Sequence, residues 1–430
     1  MLLENEGRVG LIRQALYSGK VAGRDFWHHL RDCMGHLGFS SSRADPAVWY
    51  RLSKRATRED YYEYVLLYVD DVLVISERAD SLLRKEIGQH FVLREESIGP
   101  PSLYLGGKLR EITLENGVKA WAFGSTQYVQ AAVRNVEEHL KKTGEKLPYK
   151  APTPLSSNYR PEIDVSLELG EIQAAYYHSL IGVLRWIVEL GRVDIDVEVS
   201  MMSSHLALPR VGHLKEIYHI FAYLSAHSNT EMVFDPTPPI IDMSSFERQD
   251  WSFSAYGCEE LKEELPCNMP PPLGPSMTMR IFVDSDHAGD LVTRRSRTGF
   301  VVFLNCAPIY WSSKKQTSCE TSTFGSEFVA MKQATEYARY KLRMMGITVD
   351  EPTFVYGDNQ SVLANTTSPA STLKKKSNAI AYHFVREGCA RDEWRTTYVN
   401  TNDNVADLLT KPLAGPKRSK FVRMLLHHYV

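Results

Sequence analysis

The chain has 430 residues, of which 43% are hydrophobic, 24% charged and 10% aromatic. That balance suits a globular protein long enough for two or three separate cores, and excludes a disordered or fibrous one. No apolar run reaches the roughly eighteen residues a membrane span needs, and the N-terminus lacks a basic stretch leading into an apolar core, so neither a membrane protein nor a secreted one is expected. Six cysteines, at 33, 258, 267, 306, 319 and 389, form no Cys-x-x-Cys pair; they read as reduced thiols of an intracellular protein, in cytoplasm or nucleus. The formal charge of −2 conceals an asymmetry: residues 276–430 hold 21 Lys and Arg against 14 Asp and Glu, so the rest of the chain is acidic. A basic half suits contact with a polyanion.

In chain order, Phe26, Trp27, Leu30, Met34 and Leu37 recur at helical spacing, and a short strand is expected over 48–52. Residues 61–76, YYEYVLLYVDDVLVIS, read as a hairpin with an acidic tip, Asp70 and Asp71, between two apolar runs. A helix over 79–90, strands over 104–112 and 119–123 and a helix over 126–140 follow. Residues 141–165 are polar with four prolines and read as a loop. Three helices are predicted over 174–188, 195–208 and 212–226. The proline-rich stretch 234–276 is expected to be a stiff, extended linker. Beyond it the order changes: strands over 280–284, 299–304 and 309–312, a long helix over 322–345, a strand over 354–357, helices over 360–366 and 377–391, a strand over 396–399, and a last helix beginning at 405–409. That order implies a mixed five-stranded sheet flanked by helices.

Four acids occupy telling positions on this pattern. Asp284 and Asp358 end the first and fourth of these strands, and emerge at one sheet edge if the strands are neighbours. Glu327 lies in the first turns of the long helix and Asp407 at the start of the last one. Carboxylates gathered this closely repel one another unless cations neutralise them. Two Mg²⁺ (or Mn²⁺) ions about 4 Å apart would do so, activating a water and stabilising the leaving oxygen of a phosphodiester. Arg294, Arg295 and Arg297 in the first hairpin, Lys314 and Lys315 after Trp311, Ser312 and Ser313, and the run Lys374, Lys375, Lys376 are candidates for tracking phosphates.

The blocks IFVDSDHAGD, RSRTGFVVFLN, PIYWSSKKQ, GSEFVAM, YGDNQSV, AYHFVRE and NVADLLTKPL together resemble the RNase H domain of copia-type long-terminal-repeat retrotransposons, over about 280–420. The resemblance implies an RNase H-like fold, metal ligation by Asp284, Glu327, Asp358 and Asp407, and cleavage of RNA paired to DNA. Two departures stand out: no His precedes the last acid, and KKKSNAIAYHF places Ser377 and Ala379 where relatives carry a basic-His-x-Asp run. His383 is expected in the core. Earlier blocks, ALYSGKVAGRDFWHHL, LGFSSSRADPAVWY, LLYVDDVLVIS, YLGGKLREI, STQYVQAAV, APTPL and YHSLIGVLRWIVELGRVDID, resemble the copia-type reverse transcriptase from about 12 to 229. The implied organisation is a partial palm over 1–140, a linker and helical thumb or connection over 141–233, the linker 234–276, and the RNase H-like domain over 277–430.

Asp70 and Asp71 are the implied polymerase acids. The block holding Ala15 begins almost at residue 1, leaving no room for the family's earlier acid-bearing strand or its fingers, so no DNA synthesis is expected of this chain alone. An RNA–DNA hybrid and other Pol-derived chains are the implied partners. A non-catalytic nucleic-acid-binding remnant, or a fragment of a full RNA-directed DNA polymerase, are the rival readings.

Overall fold

The computed structural model describes residues 22–69, 71–149, 151–257, 262–336, 338–373 and 378–427. Its contacts divide the chain into two compact units. One holds the residues up to Pro101 together with Met344–Gly346; the other holds Ser102–Arg343 and Ile347–Val430. This division differs from the boundaries expected at 140, 233 and 276. No helix among the described residues is long and apolar enough to cross a membrane.

In the smaller unit, helix α1 (Ala22–His36) precedes an antiparallel sheet of β1 (Ser40–Ser41), β2 (Val48–Lys54), β3 (Asp60–Tyr68) and β4 (Asp71–Ile75), paired in chain order. The helical spacing of Leu30 and Met34 lays them on one face of α1, where they meet Trp49, Val65 and Leu67. The predicted hairpin is β3 and β4, closed by the pair Tyr68 and Asp71, with Val69 in the left-handed region. The helix expected over 79–90 is broken into one α-turn, α2 (Ala79–Ser81), a wider π-turn (Leu82–Glu86) and a 3₁₀ turn (Ile87–Gln89). Leu82 and Ile87 are both buried and lie five residues apart, a step the wider turn accommodates and a regular helix does not. Glu63, fully buried on β3, accepts from Arg51, Arg78 and Ser76. Burial opposes its charge, but these donors outweigh burial and hold the carboxyl below its usual range.

The larger unit begins with a second antiparallel sheet: β5 (Leu103–Tyr104), β6 (Gly107–Thr113), β7 (Lys119–Gly124) and, across a long connection, β8 (Met232–Phe234). Three-residue β8 is too short to carry a periodic signal and was not expected. Between β7 and β8 run α3 (Thr126–Thr143), α4 (Glu171–Glu189), α5 (Asp196–Ser203) and α6 (Val211–Ala226). Their apolar stripes make one core, with Val133, Leu184, Ile187, Ile217 and Phe221 fully or almost fully buried.

The strands β9 (Met279–Asp286), β10 (Arg297–Leu304), β11 (Ala307–Lys315), β12 (Thr353–Gly357) and β13 (Trp394–Tyr398) form the third sheet, in the order β11-β10-β9-β12-β13. The first three are an antiparallel meander; β12 runs parallel to both β9 and β13. Helices α7 (Thr323–Thr335), α9 (Gln360–Thr367) and α10 (Ala379–Ala390) pack around one core with Val283, Phe300, Phe328 and Val355. The long helix expected over 322–345 is two pieces, α7 and α8 (Ala338–Arg343). The helix expected to begin at 405 is instead a five-residue 3₁₀ turn (Val405–Leu409), and α11 (Gly415–Leu425) starts afresh beyond Pro412. Proline cannot donate to an ongoing helix and disfavours helical backbone in the residue before it, here Lys411.

The described residues of 234–276 are largely irregular, as the prolines there suggest, yet they are pinned at several points. Phe246 is buried edge-on to Phe354 at 4.9 Å. Trp251 and Tyr256 flank the buried Arg386 guanidinium at 4.9 and 5.6 Å. Glu263 pairs with Arg339 at 2.9 Å and also with Arg343.

The helical layer is joined to α11 by buried charge. Arg192 grips Asp194 through two 2.8 Å bonds, and the Tyr223 hydroxyl donates to the same carboxylate. Arg418 of α11 reaches in to pair with Glu198 of α5 at 3.1 Å and donates to the Asp194 carbonyl. Burial pushes Glu198 up to about 7 despite that pairing. Removing one partner of such a pair strands the other charge. Arg418→Met is therefore expected to lower unfolding stability by about 3–5 kcal/mol in urea titration, with much of the loss recovered when Glu198→Leu is added. A double variant no more stable than the single one would refute this coupling.

Candidate metal centre

Strand pairing builds the centre. Parallel neighbours end at the same sheet edge, and β9 and β12 are parallel neighbours with Phe282 opposite Tyr356. Continuing that register by two residues brings Asp358, just past β12, level with Asp284. Helix α7 packs across β9 and β10 and adds Glu327 from above. Its start is fixed by Ser322, whose side chain accepts from the Gly325 amide. Asp284, Glu327 and Asp358 each offer a carboxylate oxygen, and the three oxygens lie within 4.8 Å of one another.

Asp407 lies beside this group but does not complete it. The 3₁₀ turn carrying it is tied to β9 by Asn404, whose amide donates to the Val283 carbonyl at 2.9 Å while its oxygen accepts from Ala406. Thr410 then donates to Asp284 Oδ2. Asp407 itself is fully buried and turned toward two lysines: Lys411 Nζ stands 2.7 Å from Oδ1, and Lys417 pairs with Oδ2. Lys411 also lies 3.6 Å from Asp284 Oδ2. The expectation of four acids converging is thus met by three, with the fourth neutralised by ammonium groups. The separate 3₁₀ turn and α11 explain why: α11 brings Lys417 back over Asp407, which one continuous helix would have carried away.

The electrostatics follow the burial. Asp284 is pushed up to about 7, by burial first and then by Asp407 and Asp358, against the pull of Lys411. Glu327 is raised well above the usual range by burial and by Asp284 and Asp358. At Asp407 burial opposes ionisation, but Lys411 and Lys417 outweigh it and hold the group below its usual range. Lys411 is raised in turn, its burial overcome by Asp284 and Asp407. Three crowded oxygen donors, two of them reluctant to ionise without a counter-charge, fit a hard divalent cation such as Mg²⁺ or Mn²⁺.

The other expected site residues are dispersed. Arg294 and Arg295 are exposed on the β9–β10 connection, and Lys314 is exposed near the end of β11. Lys315 is paired with Asp290 at 2.6 Å. Arg297 is buried, bonded to Ser200 and Ser313, and so is not open to a phosphate. His383, expected in the core, is exposed, with Nδ1 3.1 Å from the Tyr256 hydroxyl. In the smaller unit Asp71 is exposed at the start of β4. Asp70, Lys374, Lys375, Lys376 and Ser377 lie outside the described residues.

Sequence reasoning missed Lys411, Lys417, Thr410 and Asn404. Lys411 alone had a signal, four residues after Asp407. It also missed Gly299 on β10: a Cβ there would stand 2.6 Å from Thr410 Cγ2 and 2.9 Å from the Leu409 carbonyl carbon. Only glycine lets the turn sit this close to the sheet.

No family model matches the chain. Curated relatives do. The Pol polyprotein from transposon RE1 of Arabidopsis thaliana is 24% identical over 94% of this chain and 24% of its own length. That from transposon TNT 1-94 of Nicotiana tabacum is 23% identical over 95% of this chain and 27% of its own. The chain resembles retrovirus-related transposon Pol polyproteins. It spans about a quarter of the length of these relatives. Among solved structures, RNase H1 of the archaeon Halobacterium salinarum aligns with 32% of the chain and 95% of its own, at 17% identity and a TM-score of 0.24. LC11-RNase H1, solved in complex with an RNA/DNA hybrid, aligns with 31% and 94%, at 17% identity and a TM-score of 0.25.

Two outcomes are expected. A divalent ion held here would need the acids ionised, so its binding should expel protons wherever Asp284 is still protonated, below about 7. Affinity should climb from pH 6 to 7 by about tenfold per proton expelled, measured by calorimetry in two buffers of different ionisation enthalpy; a flat affinity across that span would contradict the effect of burial. Gly299→Ala should cost about 1–3 kcal/mol of stability, read from thermal unfolding, because the 405–410 turn must move off β10.

Proposed function

We propose that residues 277–430 form an RNase H-like nuclease that cleaves the RNA strand of an RNA–DNA hybrid, within a piece of a copia-type retrotransposon Pol protein. The observation that carries this reading is the convergence of Asp284, Glu327 and Asp358 at one edge of a β11-β10-β9-β12-β13 sheet. The order of the acids along the chain and the resemblance to transposon Pol polyproteins across nearly its whole length support it.

The residues divide the work. Asp284, Glu327 and Asp358 would hold Mg²⁺ or Mn²⁺. That ion, when bound, lowers the pKa of a water and draws charge from a phosphodiester oxygen. Asp284, which would be one of the ligands, is oriented by the Thr410 hydroxyl donating to its Oδ2. Glu327, on the helix packed over β9 and β10 and not on the sheet, would add the third carboxylate oxygen. Exposed Arg294, Arg295 and Lys314 supply positive charge for the phosphate backbones of a hybrid duplex. Lys374, Lys375 and Lys376 extend that set in sequence.

On the same reading the helical layer of the larger unit corresponds to the thumb or connection of the polymerase. The β3–β4 hairpin, with Asp71 at its exposed end, corresponds to part of the palm.

The test uses the whole chain with end-labelled RNA–DNA hybrid, double-stranded DNA and single-stranded RNA. Only the hybrid should be cut, with Mg²⁺ or Mn²⁺ and not in the presence of EDTA. Asp284→Asn and Asp358→Asn should each reduce cutting by roughly 10²–10³-fold. Cutting that survives both substitutions would overturn the assignment.

A further inference from the structure

Resting on the nuclease reading above, we infer that Lys411 occupies the place of a second metal ion. In this account each chain binds one divalent cation, and the Lys411 ammonium supplies the other positive charge at the scissile phosphate.

The geometry comes first. The three carboxylates that converge within 4.8 Å can surround one ion. A second ion would have to sit between Asp284 and the remaining acid, Asp407. That space already holds a cation, Lys411 Nζ, 2.7 Å from Asp407 Oδ1 and 3.6 Å from Asp284 Oδ2. The far side of Asp407 is closed by Lys417. A divalent ion bridging Asp284 and Asp407 would need to expel Lys411 from a position that is more than half shielded from solvent.

The charge balance agrees. Four carboxylates, Asp284, Glu327, Asp358 and Asp407, face two ammonium groups, Lys411 and Lys417, leaving two negative charges that one divalent ion cancels. The next acid on β9, Asp286, is faced by Arg160 and Arg297 as well as Lys411. Before a phosphate is bound, a second divalent ion would leave an excess of positive charge among these groups unless a lysine withdrew.

The local fold holds Lys411 in place. It follows Thr410, which is bonded to Asp284, and precedes Pro412, and its amide donates to the Asp407 carbonyl. The side chain therefore starts from a backbone pinned on both sides. Lysine offers a compact point charge on a flexible stem, which suits contact with a phosphate oxygen.

The experiment counts protein-bound Mn²⁺ by electron paramagnetic resonance. It uses the full chain, free and saturated with a non-cleavable duplex of 2′-O-methyl RNA and DNA. Counts are taken relative to the Asp284→Asn, Asp358→Asn double variant, which corrects for ions held by the duplex. The unsubstituted chain should bind one ion per chain in both states. Lys411→Met should bind two with duplex present, and Lys411→Arg should return to one. Two ions in the unsubstituted chain with duplex would overturn the inference and leave the nuclease reading standing. One ion in Lys411→Met, with duplex bound, would also overturn it. No ion in the unsubstituted chain would defeat the nuclease reading itself, and this inference with it. The count on the unsubstituted chain decides the matter even if Lys411→Met does not fold.

Discussion

Mutual repulsion among buried carboxylates is the constraint around which the larger unit is arranged. Asp284, Glu327 and Asp358 are brought together on three different elements, and burial pushes the first two toward the neutral form. An arrangement of this kind is unfavourable for the fold taken alone. It is sustained by the surrounding structure: hydrogen-bonded strands fix two of the acids, and a helix packed on their sheet fixes the third. The energy of strand pairing and core burial thus holds the three acids together at one sheet edge.

The surroundings of Asp407 show a different answer to the same problem. There the counter-charge is covalent, supplied by Lys411 and Lys417, and the group stays ionised although fully buried. One edge of the sheet therefore combines an acid neutralised from within the chain and three acids whose clustered oxygens suit a divalent cation. The closeness of the two depends on small features: a glycine at 299 that admits the turn, an asparagine at 404 that ties it to β9, and a proline at 412 that ends it.

The helical layer contributes more than bulk to this region. Arg418 enters the buried network of Arg192, Asp194, Glu198 and Tyr223, and its chain neighbour Lys417 faces Asp407. Adjacent residues on one helix thus join the core of α5 and α6 to the carboxylate edge. The irregular stretch 234–276 is likewise part of the packed unit, held by Phe246, Trp251, Tyr256 and Glu263. Treating it as a spacer, as its prolines invite, overlooks that scattered aromatic residues and one acid are enough to dock a segment with no periodicity.

The sequence by itself determined the alternation of β9 to β13, the helices α3 to α7 in outline, and the three acids that converge, Asp284, Glu327 and Asp358. These are local properties: period-two and period-3.6 apolar patterns set strands and helices, and Asp or Glu at strand ends and helix starts is visible letter by letter. It did not determine that the turn at 405–409 stands apart from α11, that Lys417 returns to Asp407, that His383 is exposed or that Arg297 is buried. Each of those depends on which side chain lies across from another after chain segments over a hundred residues apart, such as Asn404 and Val283, have packed. Coulomb energy between charges varies with distance and burial, and both are fixed only when the tertiary structure closes around them.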